Sequence, residues 1–287
     1  MKIGMTGSSG ALGRVLSKTI AAKLPSAELC PYSSDLRNKQ DLQSWVQSRP
    51  FDLVIHAAAI VPIAQVKSNL AEAWDINVNS TLRLALSLRT LNSDARLLYV
   101  STSHVYNYGS EPAEETDGGR CSSIYGMTKY AGELAVTASG LDCLIVRVFS
   151  QFGIGQKPGF LFPSLLRRIS DTPHGGTMRL NGALTVRDFV SIPEVAESIC
   201  HLISQQPAFR TVNICTGRKM TVEQFVARVC RALDREDIAI ESADGICNQL
   251  YGSTKRLAAC GLQLRGAESD GFLQLVKQES QAQAIAG

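Results

Sequence analysis

The 287-residue sequence lacks the patterns of a disulfide-rich, metal-binding or membrane-spanning protein. Its eight cysteines form no CxxC pair and are too sparse for a disulfide framework, which favours a reducing compartment. The four histidines form no HExxH or similar cluster, so no metal site is predicted. No apolar run approaches the roughly 20 residues that a membrane-spanning helix requires. The first predicted strand begins at Lys2, so we expect no signal peptide and a cytoplasmic location.

Charge of one sign is also scarce. The net charge is +3, and no block of like charges is present. Nucleic acids and membrane surfaces attract basic patches, so neither is an expected partner. The hydrophobic content of 45% is ordinary for a globular protein, and the length favours one large domain with a smaller lobe.

Short apolar runs alternate with longer amphipathic segments in the first half of the chain. The runs predict buried parallel strands at residues 2–5, 27–31, 53–56, 97–101 and 144–148. Apolar residues spaced by three to four predict helices at residues 12–24, 39–48, 69–91 and 123–138. This alternation predicts an α/β fold with a doubly wound parallel sheet, the Rossmann arrangement.

The regular alternation stops after residue 148. A stretch rich in glycine and proline leads to a predicted helix at 163–170, a strand at 210–215 and a helix at 221–233. We therefore assign residues 1–150, with returning segments at about 185–217, to the Rossmann domain. Residues 151–184 and 218–287 are assigned to a smaller C-terminal substrate-binding lobe. The polar, Gln-rich tail beyond Glu268 is expected to be frayed.

A glycine-rich segment, TGSSGALG at residues 6–13, follows the first predicted strand and opens the first predicted helix. Gly7 would allow a tight turn, Gly10 a close approach of the backbone to a pyrophosphate, and Gly13 the packing of helix on strand. The N–H groups at the start of the helix would face the phosphates. A turn without a ligand is the alternative, but the flanking strand and helix favour a dinucleotide site.

Tyr125 and Lys129 lie four residues apart, on one face of a predicted helix. A neighbouring ammonium favours a charged phenol, so Lys129 is expected to lower the pKa of Tyr125, which is about 10 when unperturbed. Tyr125 would then serve as an acid or base near neutral pH, with Thr102 sharing the reacting oxygen. Either hydroxyl alone could be structural, Thr102 at a strand end and Tyr125 half-buried in a core, but their joint order with Lys129 favours a redox site.

These segments resemble the short-chain dehydrogenase/reductase superfamily, in which a TGxxGxxG loop accompanies a catalytic Thr-Tyr-Lys triad. Five further segments resemble its extended branch, the nucleotide-sugar epimerases, dehydratases and reductases: DLRN at 35–38, HAAA at 56–59, Asn77-Val78, RDFV at 187–190 and NICTG at 213–217. The resemblance runs from residue 2 to about 262. It implies an enzyme that uses NAD(P)(H).

The resemblance also implies where the cofactor lies. Asp35 would accept a hydrogen bond from the adenine amino group, and Leu36 would lie beneath the adenine ring. The alternative is that Asp35 caps the following helix. The acid usually expected at the end of the second strand is absent, and the hydroxyls of Ser33 and Ser34 with Arg37 nearby favour NADP(H) over NAD. The implied cofactor-binding residues are Gly7, Ser9, Gly10, Leu12, Gly13, Asp35, Leu36, Ala57, Ala58, Ala59, Asn77, Tyr125 and Lys129.

On the substrate side, Ser103 and His104 stand where the related dehydratases carry an acidic pair, which argues against dehydration. His104 also matches the position of a catalytic Cys in enzymes resembling GDP-fucose synthase. It is therefore either a second acid or base, or a residue that only binds substrate or packs. Arg187 would pair with a nucleotide diphosphate, with a surface salt bridge as the alternative. Ser150, after the fifth strand, would contact the sugar.

The expected reaction is reduction of a nucleotide-diphosphate 4-keto-6-deoxyhexose. The catalytic residues would be Thr102, Tyr125, Lys129 and His104. The chain resembles the 4-keto-6-deoxyhexose reductases in its length and compact second lobe. An NDP-sugar 4-epimerase with tightly bound NAD is the first alternative, and a non-catalytic NAD(P)-sensing protein is a more remote one. The resemblance further implies a homodimer formed through the helices at 69–91 and 123–138.

Overall fold

The structure, a computed structural model that describes residues 1–61 and 63–286, is built around one parallel sheet. The strands are β1 Lys2–Thr6, β2 Glu28–Tyr32, β3 Leu53–His56, β4 Arg96–Thr102, β5 Cys143–Val148, β6 Ser150–Phe152, β7 Thr177–Leu180, β8 Val186–Arg187, β9 Phe189–Ser191, β10 Thr211–Ile214, β11 Met220–Thr221, β12 Ala239–Ser242 and β13 Gln249–Leu250. Six of them form the sheet in the order β10-β5-β4-β3-β1-β2, and each neighbouring pair is parallel. Because the chain winds outwards from β1 in both directions, the predicted doubly wound sheet is confirmed.

Helices cover both faces of this sheet. They are α1 Ala11–Lys23, α2 Lys39–Gln47, α3 Ile63–Ser68, α4 Leu70–Trp74, α5 Ser80–Leu91, α6 Ile124–Ala138, α7 Leu161–Asp171, α8 Ile192–Gln205, α9 Val222–Ala232, α10 Lys255–Ala259 and α11 Phe272–Ala286. Successive strand residues point to opposite faces of the sheet: Ile55 packs in the core with α1 and α8, whereas Val54 packs with α2 and α5. Both kinds of strand position are therefore apolar, which explains the continuous apolar runs in the sequence.

A second hydrophobic core fills the smaller lobe. It is built from the segments after β5 and after β10 around stacked and edge-on aromatic rings, and Phe189 stacks on Phe225 with centroids 4.1 Å apart. Strands β7 and β12 pair at its edge, and β8 lies between β11 and β13. The lobe thus has a core of its own, which small β-strands alone could not supply.

The C-terminal tail is a helix, so the prediction that it is frayed is wrong. In α11, Val276 is fully buried in the second core, and the Glu279 carboxylate accepts a hydrogen bond of 2.9 Å from the backbone N–H of Gly155. Polar composition alone had suggested disorder. A few apolar positions on one helix face were sufficient to dock the segment.

The predicted helix at 69–91 is interrupted. A π-helical turn, Asp75–Asn79, separates α4 from α5. This turn places the side chain of Asn77 in the protein interior. There its amide oxygen accepts the Ile60 N–H, and its amide nitrogen donates to the Ile60 carbonyl and to the Thr128 hydroxyl. Hydrophobic periodicity cannot reveal one extra residue in a turn, and such insertions are frequent at functional sites.

Among the described residues, none of the helices has the length and apolarity needed to cross a membrane. The same residues contain no group of three or more His, Cys, Asp or Glu side chains that could hold a metal ion.

Asp188 ties the smaller lobe to the end of the sheet. It follows β8, is fully buried, and accepts hydrogen bonds from the N–H groups of Thr216, Gly217 and Gly252 as well as from the Thr216 hydroxyl. Burial raises the pKa of this carboxyl, while the four bonds act in the opposite direction. The carboxylate satisfies donors from two chain segments that would otherwise lack a partner.

We expect Asp188→Ala to lower the free energy of unfolding by about 3 kcal/mol, because buried N–H donors would be left without an acceptor. Urea denaturation followed by circular dichroism measures the change. The control is Asp270→Ala, at a side chain that is 93% exposed, for which a change of no more than about 0.5 kcal/mol is expected. Equal effects of the two substitutions would contradict this account.

Candidate active site

The glycine loop joins β1 to α1 through a turn that only glycine fits. Gly7 has a φ of +76°, and a Cβ there would lie 2.6 Å from the backbone nitrogen of Ala58. A Cβ on Gly13 would lie 2.0 Å from the carbonyl oxygen of Gly7. Gly10 precedes the first residue of α1 and donates its N–H to that same carbonyl at 3.1 Å. The tight turn and the close helix packing predicted for Gly7 and Gly13 are therefore present.

A cavity of about 420 Å³ opens beside this loop, at the carboxyl ends of β1, β2 and β3. Its walls contain six of the predicted cofactor contacts: Gly7, Ser9, Asp35, Leu36, Ala58 and Ala59. The other residues of the walls are Thr6, Ser8, Tyr32, Ser33, Ser34, Ile60 and Ile76. Its size and its position at the start of α1 fit the phosphates and adenosine of a dinucleotide.

Seven predicted cofactor contacts lie outside the walls of this cavity: Gly10, Leu12, Gly13, Ala57, Asn77, Tyr125 and Lys129. The side chain of Leu12 packs in the core beneath α1, which leaves its backbone for any contact with a ligand. Ala57 donates its N–H to the Thr6 carbonyl at 3.2 Å. Asn77 is nearly fully buried and uses its amide to join the loop after β3 to α6, as described above.

Asp35 does not cap α2. The cap is Asn38, whose side-chain oxygen accepts from the N–H groups of Gln40 and Asp41. Asp35 is too far before the helix to reach these donors. It binds Arg37 instead, at 2.6 Å between Oδ2 and Nη2, and these hydrogen bonds lower the pKa of its carboxyl.

The three predicted catalytic side chains converge where β4 ends and α6 begins. The Thr102 hydroxyl accepts the His104 N–H at 3.3 Å and is close enough to the Tyr125 phenol to influence its pKa. Ser123 caps α6 by accepting the Gly126 N–H at 3.0 Å, which fixes the first turn that carries Tyr125. Lys129 lies one turn further along, only 2% exposed, with Nζ 4.0 Å from the centroid of the Tyr99 ring.

The prediction that the pKa of Tyr125 falls below its ordinary value is wrong for this geometry. Burial raises the pKa of Tyr125, and the nearby Thr102 hydroxyl offsets this only in part. Burial also lowers the pKa of Lys129 to about 7, with Glu133 acting against that shift. Desolvation is the largest cause of both shifts, because both groups lie deep in the protein. At neutral pH the phenol is consequently protonated and can donate.

His104 lies edge-on to Tyr125, with ring centroids 5.8 Å apart. Gly126 permits this contact, since a Cβ there would lie 2.0 Å from the His104 carbonyl oxygen. Nδ1 of His104 is 3.1 Å from the hydroxyl of Ser123. Burial and the nearby charge of Arg187 lower the pKa of His104 to about 4, so the ring is neutral at pH 7.

Arg187, in β8, is close enough to His104 for its charge to influence the pKa of that ring. Its guanidinium donates to the carbonyls of Val186 and Asn248 and lies 5.2 Å from the centroid of the Tyr108 ring. The alternative of a salt bridge with Asp188 is wrong, because that carboxylate is taken by the backbone donors described above. Burial lowers the pKa of Arg187. A half-buried cation of this kind suits a phosphate ligand.

The two serines predicted to bind substrate lie at strand ends. Ser103 is buried in the turn after β4. Ser150 begins β6, is half-buried, and donates its N–H to the Asp188 carbonyl at 3.0 Å. Both positions are at the carboxyl edge of the sheet, where ligands of open α/β sheets bind.

Sequence reasoning missed the polar groups behind the triad. Glu133 lies on the same helix as Lys129, and its carboxylate pairs with Arg147 at 2.7 Å. Two signals were available in the sequence. Glu133 follows Lys129 by four residues, and Arg147 is a charged residue within an otherwise apolar strand.

The Rossmann domain, the glycine loop beside its cavity and the Thr-Tyr-Lys arrangement define an enzyme of the short-chain dehydrogenase/reductase type. Residues 3–215 match the model of the NAD dependent epimerase/dehydratase family, and the chain belongs to that family. The fold and family predicted from the sequence are thereby confirmed.

Two curated relatives match across most of the chain. GDP-6-deoxy-D-mannose reductase of Pseudomonas aeruginosa is 27% identical over 234 residues, which is 77% of either chain. GDP-6-deoxy-D-talose 4-dehydrogenase of Aggregatibacter actinomycetemcomitans is 27% identical over 237 residues, covering 80% of this chain and 79% of that one.

Solved structures of low identity share the fold. RMD from Pseudomonas aeruginosa, complexed with NADPH, has a TM-score of 0.86 at 23% identity and covers 98% of both chains. UDP-glucose 4-epimerase of Thermus thermophilus, in complex with NAD, has a TM-score of 0.82 at 20% identity over the full length of both chains. These likenesses extend the fold assignment to the smaller lobe.

We expect Gly13→Ala to raise the dissociation constant of NADPH at least about ten-fold, because the new methyl group would push α1 away from the loop. Titration of the bound NADPH by fluorescence measures this. Gly109→Ala is the matched control, since a Cβ there meets nothing within 4 Å. Unchanged affinity in a folded Gly13→Ala protein would count against the loop as the dinucleotide site.

Proposed function

We propose that this enzyme reduces a nucleotide-diphosphate 4-keto-6-deoxyhexose. The observation that carries the proposal is the placement of Thr102 at the end of β4 and of Tyr125 and Lys129 on one face of α6, at the same sheet edge as the glycine-loop cavity. The curated relatives support the substrate class, because two of them are named for GDP-6-deoxy sugars.

The chemistry of reduction assigns a role to each group. The nicotinamide supplies a hydride to the carbonyl carbon when the cofactor is bound. Tyr125 donates its proton to the carbonyl oxygen, and the Thr102 hydroxyl holds that oxygen in place. The charge of Lys129 stabilises the phenolate that Tyr125 becomes, and its ammonium would bond the nicotinamide ribose. A raised pKa in Tyr125 suits this direction because the group begins each cycle protonated.

For the substrate, we propose that Arg187 binds the diphosphate and that Ser103 and Ser150 contact the sugar. His104 would serve as a neutral hydrogen-bond donor rather than a second acid. The Ser123 hydroxyl, already an acceptor for the Gly126 N–H, has its proton available for Nδ1 of His104. That assignment leaves the proton of the neutral ring on Nε2, where it can reach the substrate.

We propose NADP(H) as the cofactor. Ser33 and Ser34 line the cavity at the end of β2, where an acidic residue, if present, would repel the 2′-phosphate of NADP(H). The related RMD structure contains NADPH. A reductase must release its oxidised cofactor after each turnover, whereas a 4-epimerase retains NAD. Stoichiometric NAD in the purified protein would therefore support epimerisation instead.

We also propose a cytoplasmic location, consistent with eight free cysteines.

The decisive experiment follows NADPH and NADH oxidation with GDP-linked and dTDP-linked 4-keto-6-deoxyhexoses, and determines the product configuration by NMR.

We expect Tyr125→Phe to lower kcat about a thousand-fold with the dissociation constant of NADPH nearly unchanged, because only the proton donor is lost. Tyr130→Phe, on the same helix, is the control and should retain activity. A chain that binds NADPH but turns over none of these sugars would refute the proposed function and favour the sensing alternative.

We propose a homodimer formed by α5 and α6. These helices pack together and expose large apolar side chains: Leu82, Leu86, Met127 and Leu134. Leu86 is 49% exposed and Leu134 is 54% exposed. Large exposed apolar side chains on two neighbouring helices favour an association surface, and a two-fold axis would bring the same helices of two chains together.

The double substitution Leu86→Glu with Leu134→Glu should convert a dimer into a 31.0 kDa monomer, because carboxylates would be buried in the apolar contact. Light scattering during size-exclusion chromatography measures the mass. Leu184→Glu alters a side chain of similar exposure in the smaller lobe and should leave the dimer intact. A monomeric unsubstituted protein would disprove the proposed interface.

A further inference from the structure

A buried ion pair lies one helical turn beyond Lys129. The Glu133 carboxylate receives two hydrogen bonds from Arg147, at 3.0 Å from Nε and 2.7 Å from Nη2, and one of 2.5 Å from the hydroxyl of Ser101. The two charged side chains are only 3% and 6% exposed. Taking two charges out of water costs several kcal/mol, so such a pair is weak evidence for a purely stabilising role.

Arg147 is itself held rigidly. Its Nη1 donates to the Tyr106 hydroxyl at 2.9 Å and to the Glu115 carbonyl at 2.7 Å, and the Tyr106 hydroxyl donates to Asn213 at 2.6 Å. This network joins β4, β5, β10 and α6 behind the active site. A fully bonded network of this kind fixes the orientation of the Glu133 carboxylate.

Glu133 is the anion that acts on Lys129. The two residues lie at i and i+4 on α6, and both are buried. The other titratable groups packed around Lys129 are uncharged at neutral pH. Burial raises the pKa of Tyr99 and of Tyr125, and burial with the charge of Lys129 lowers that of His56 to about 3. Arg147 is the cation that pairs with the Glu133 carboxylate, at 2.7 Å between Nη2 and Oε2.

We propose that Glu133 is a positioning residue for the reaction: its carboxylate, fixed by Arg147 and Ser101, keeps the Lys129 ammonium charged beside Tyr125. The proposal rests on the role assigned to Lys129 in the proposed function. Burial brings the pKa of Lys129 to about 7, so the ammonium is close to losing its proton at neutral pH. A single fixed anion then decides which form predominates, and Arg147 limits the strength of that anion.

The test compares the pH dependence of kcat/KM in Glu133→Gln, Glu133→Asp and the unsubstituted enzyme. Lys129 is charged below its pKa, so the activity that depends on it is lost as the pH rises through that value. Glu133→Gln removes the anion and should move this alkaline limb to lower pH by about one unit. Glu133→Asp keeps the charge and should retain most of the original limb. A limb that moves equally in both variants would overturn the proposal.

Folding is controlled with a second variant. Glu133→Gln leaves the Arg147 cation buried without its partner, so the protein could be destabilised for that reason alone. The double substitution Glu133→Gln with Arg147→Met removes both charges. It should move the limb in the same direction by a smaller amount, since the repulsion between Arg147 and Lys129 is removed as well. A folded double variant with an unchanged limb would overturn the proposal.

A second readout does not require the substrate to be identified. Because the Lys129 ammonium would bond the nicotinamide ribose, the dissociation constant of NADPH should rise with pH, and this rise should begin about one unit lower in Glu133→Gln. Failure to turn over any nucleotide sugar would refute the proposed function without affecting this measurement. An identical pH dependence of NADPH binding in a folded Glu133→Gln protein would refute the role of Glu133.

Discussion

Burial of the parallel sheet on both faces is the constraint on which the rest of the structure depends. Parallel strands direct all their carboxyl ends to one edge, so Thr6, His56, Thr102 and Val148 end their strands at the same side of the molecule. Helices on both faces then leave that edge as the accessible place for polar chemistry. The glycine loop, the start of α6 and the β6 turn meet there because the topology permits no other arrangement.

The same burial sets the chemical state of the active site. Tyr125 and Lys129 lose their hydration, which keeps the phenol protonated and brings the pKa of the ammonium to about 7. In water, a lysine four residues away would shift the phenol only slightly. Inside the fold the larger effects are desolvation and a fixed counter-charge. The pKa of Lys129 therefore depends on the buried Glu133, which pairs with Arg147, as well as on burial.

Some features were readable from the sequence because they depend on local geometry. The spacing of Gly7, Gly10 and Gly13 specifies a turn between a strand and a helix, and the spacing of Tyr125 and Lys129 specifies one helix face. Other features could not be read in this way. The residue that caps α2 is Asn38 and not Asp35. A π-helical turn that contains Asn77 divides a segment whose apolar residues follow one continuous helical period. Both depend on which donors and acceptors the surrounding chain brings within reach.

The sequence by itself determined the doubly wound sheet, the turn of the glycine loop and the placement of Tyr125 and Lys129 on one helix face, because strand and helix periods and residue spacings are properties of the chain. Only the tertiary structure decided that α11 docks on the second core, that His104 is neutral between Tyr125 and Arg187, and that Glu133 opposes the desolvation of Lys129. These outcomes depend on burial and on charges that are distant in sequence. Neither can be deduced from the order of residues until the elements are packed together.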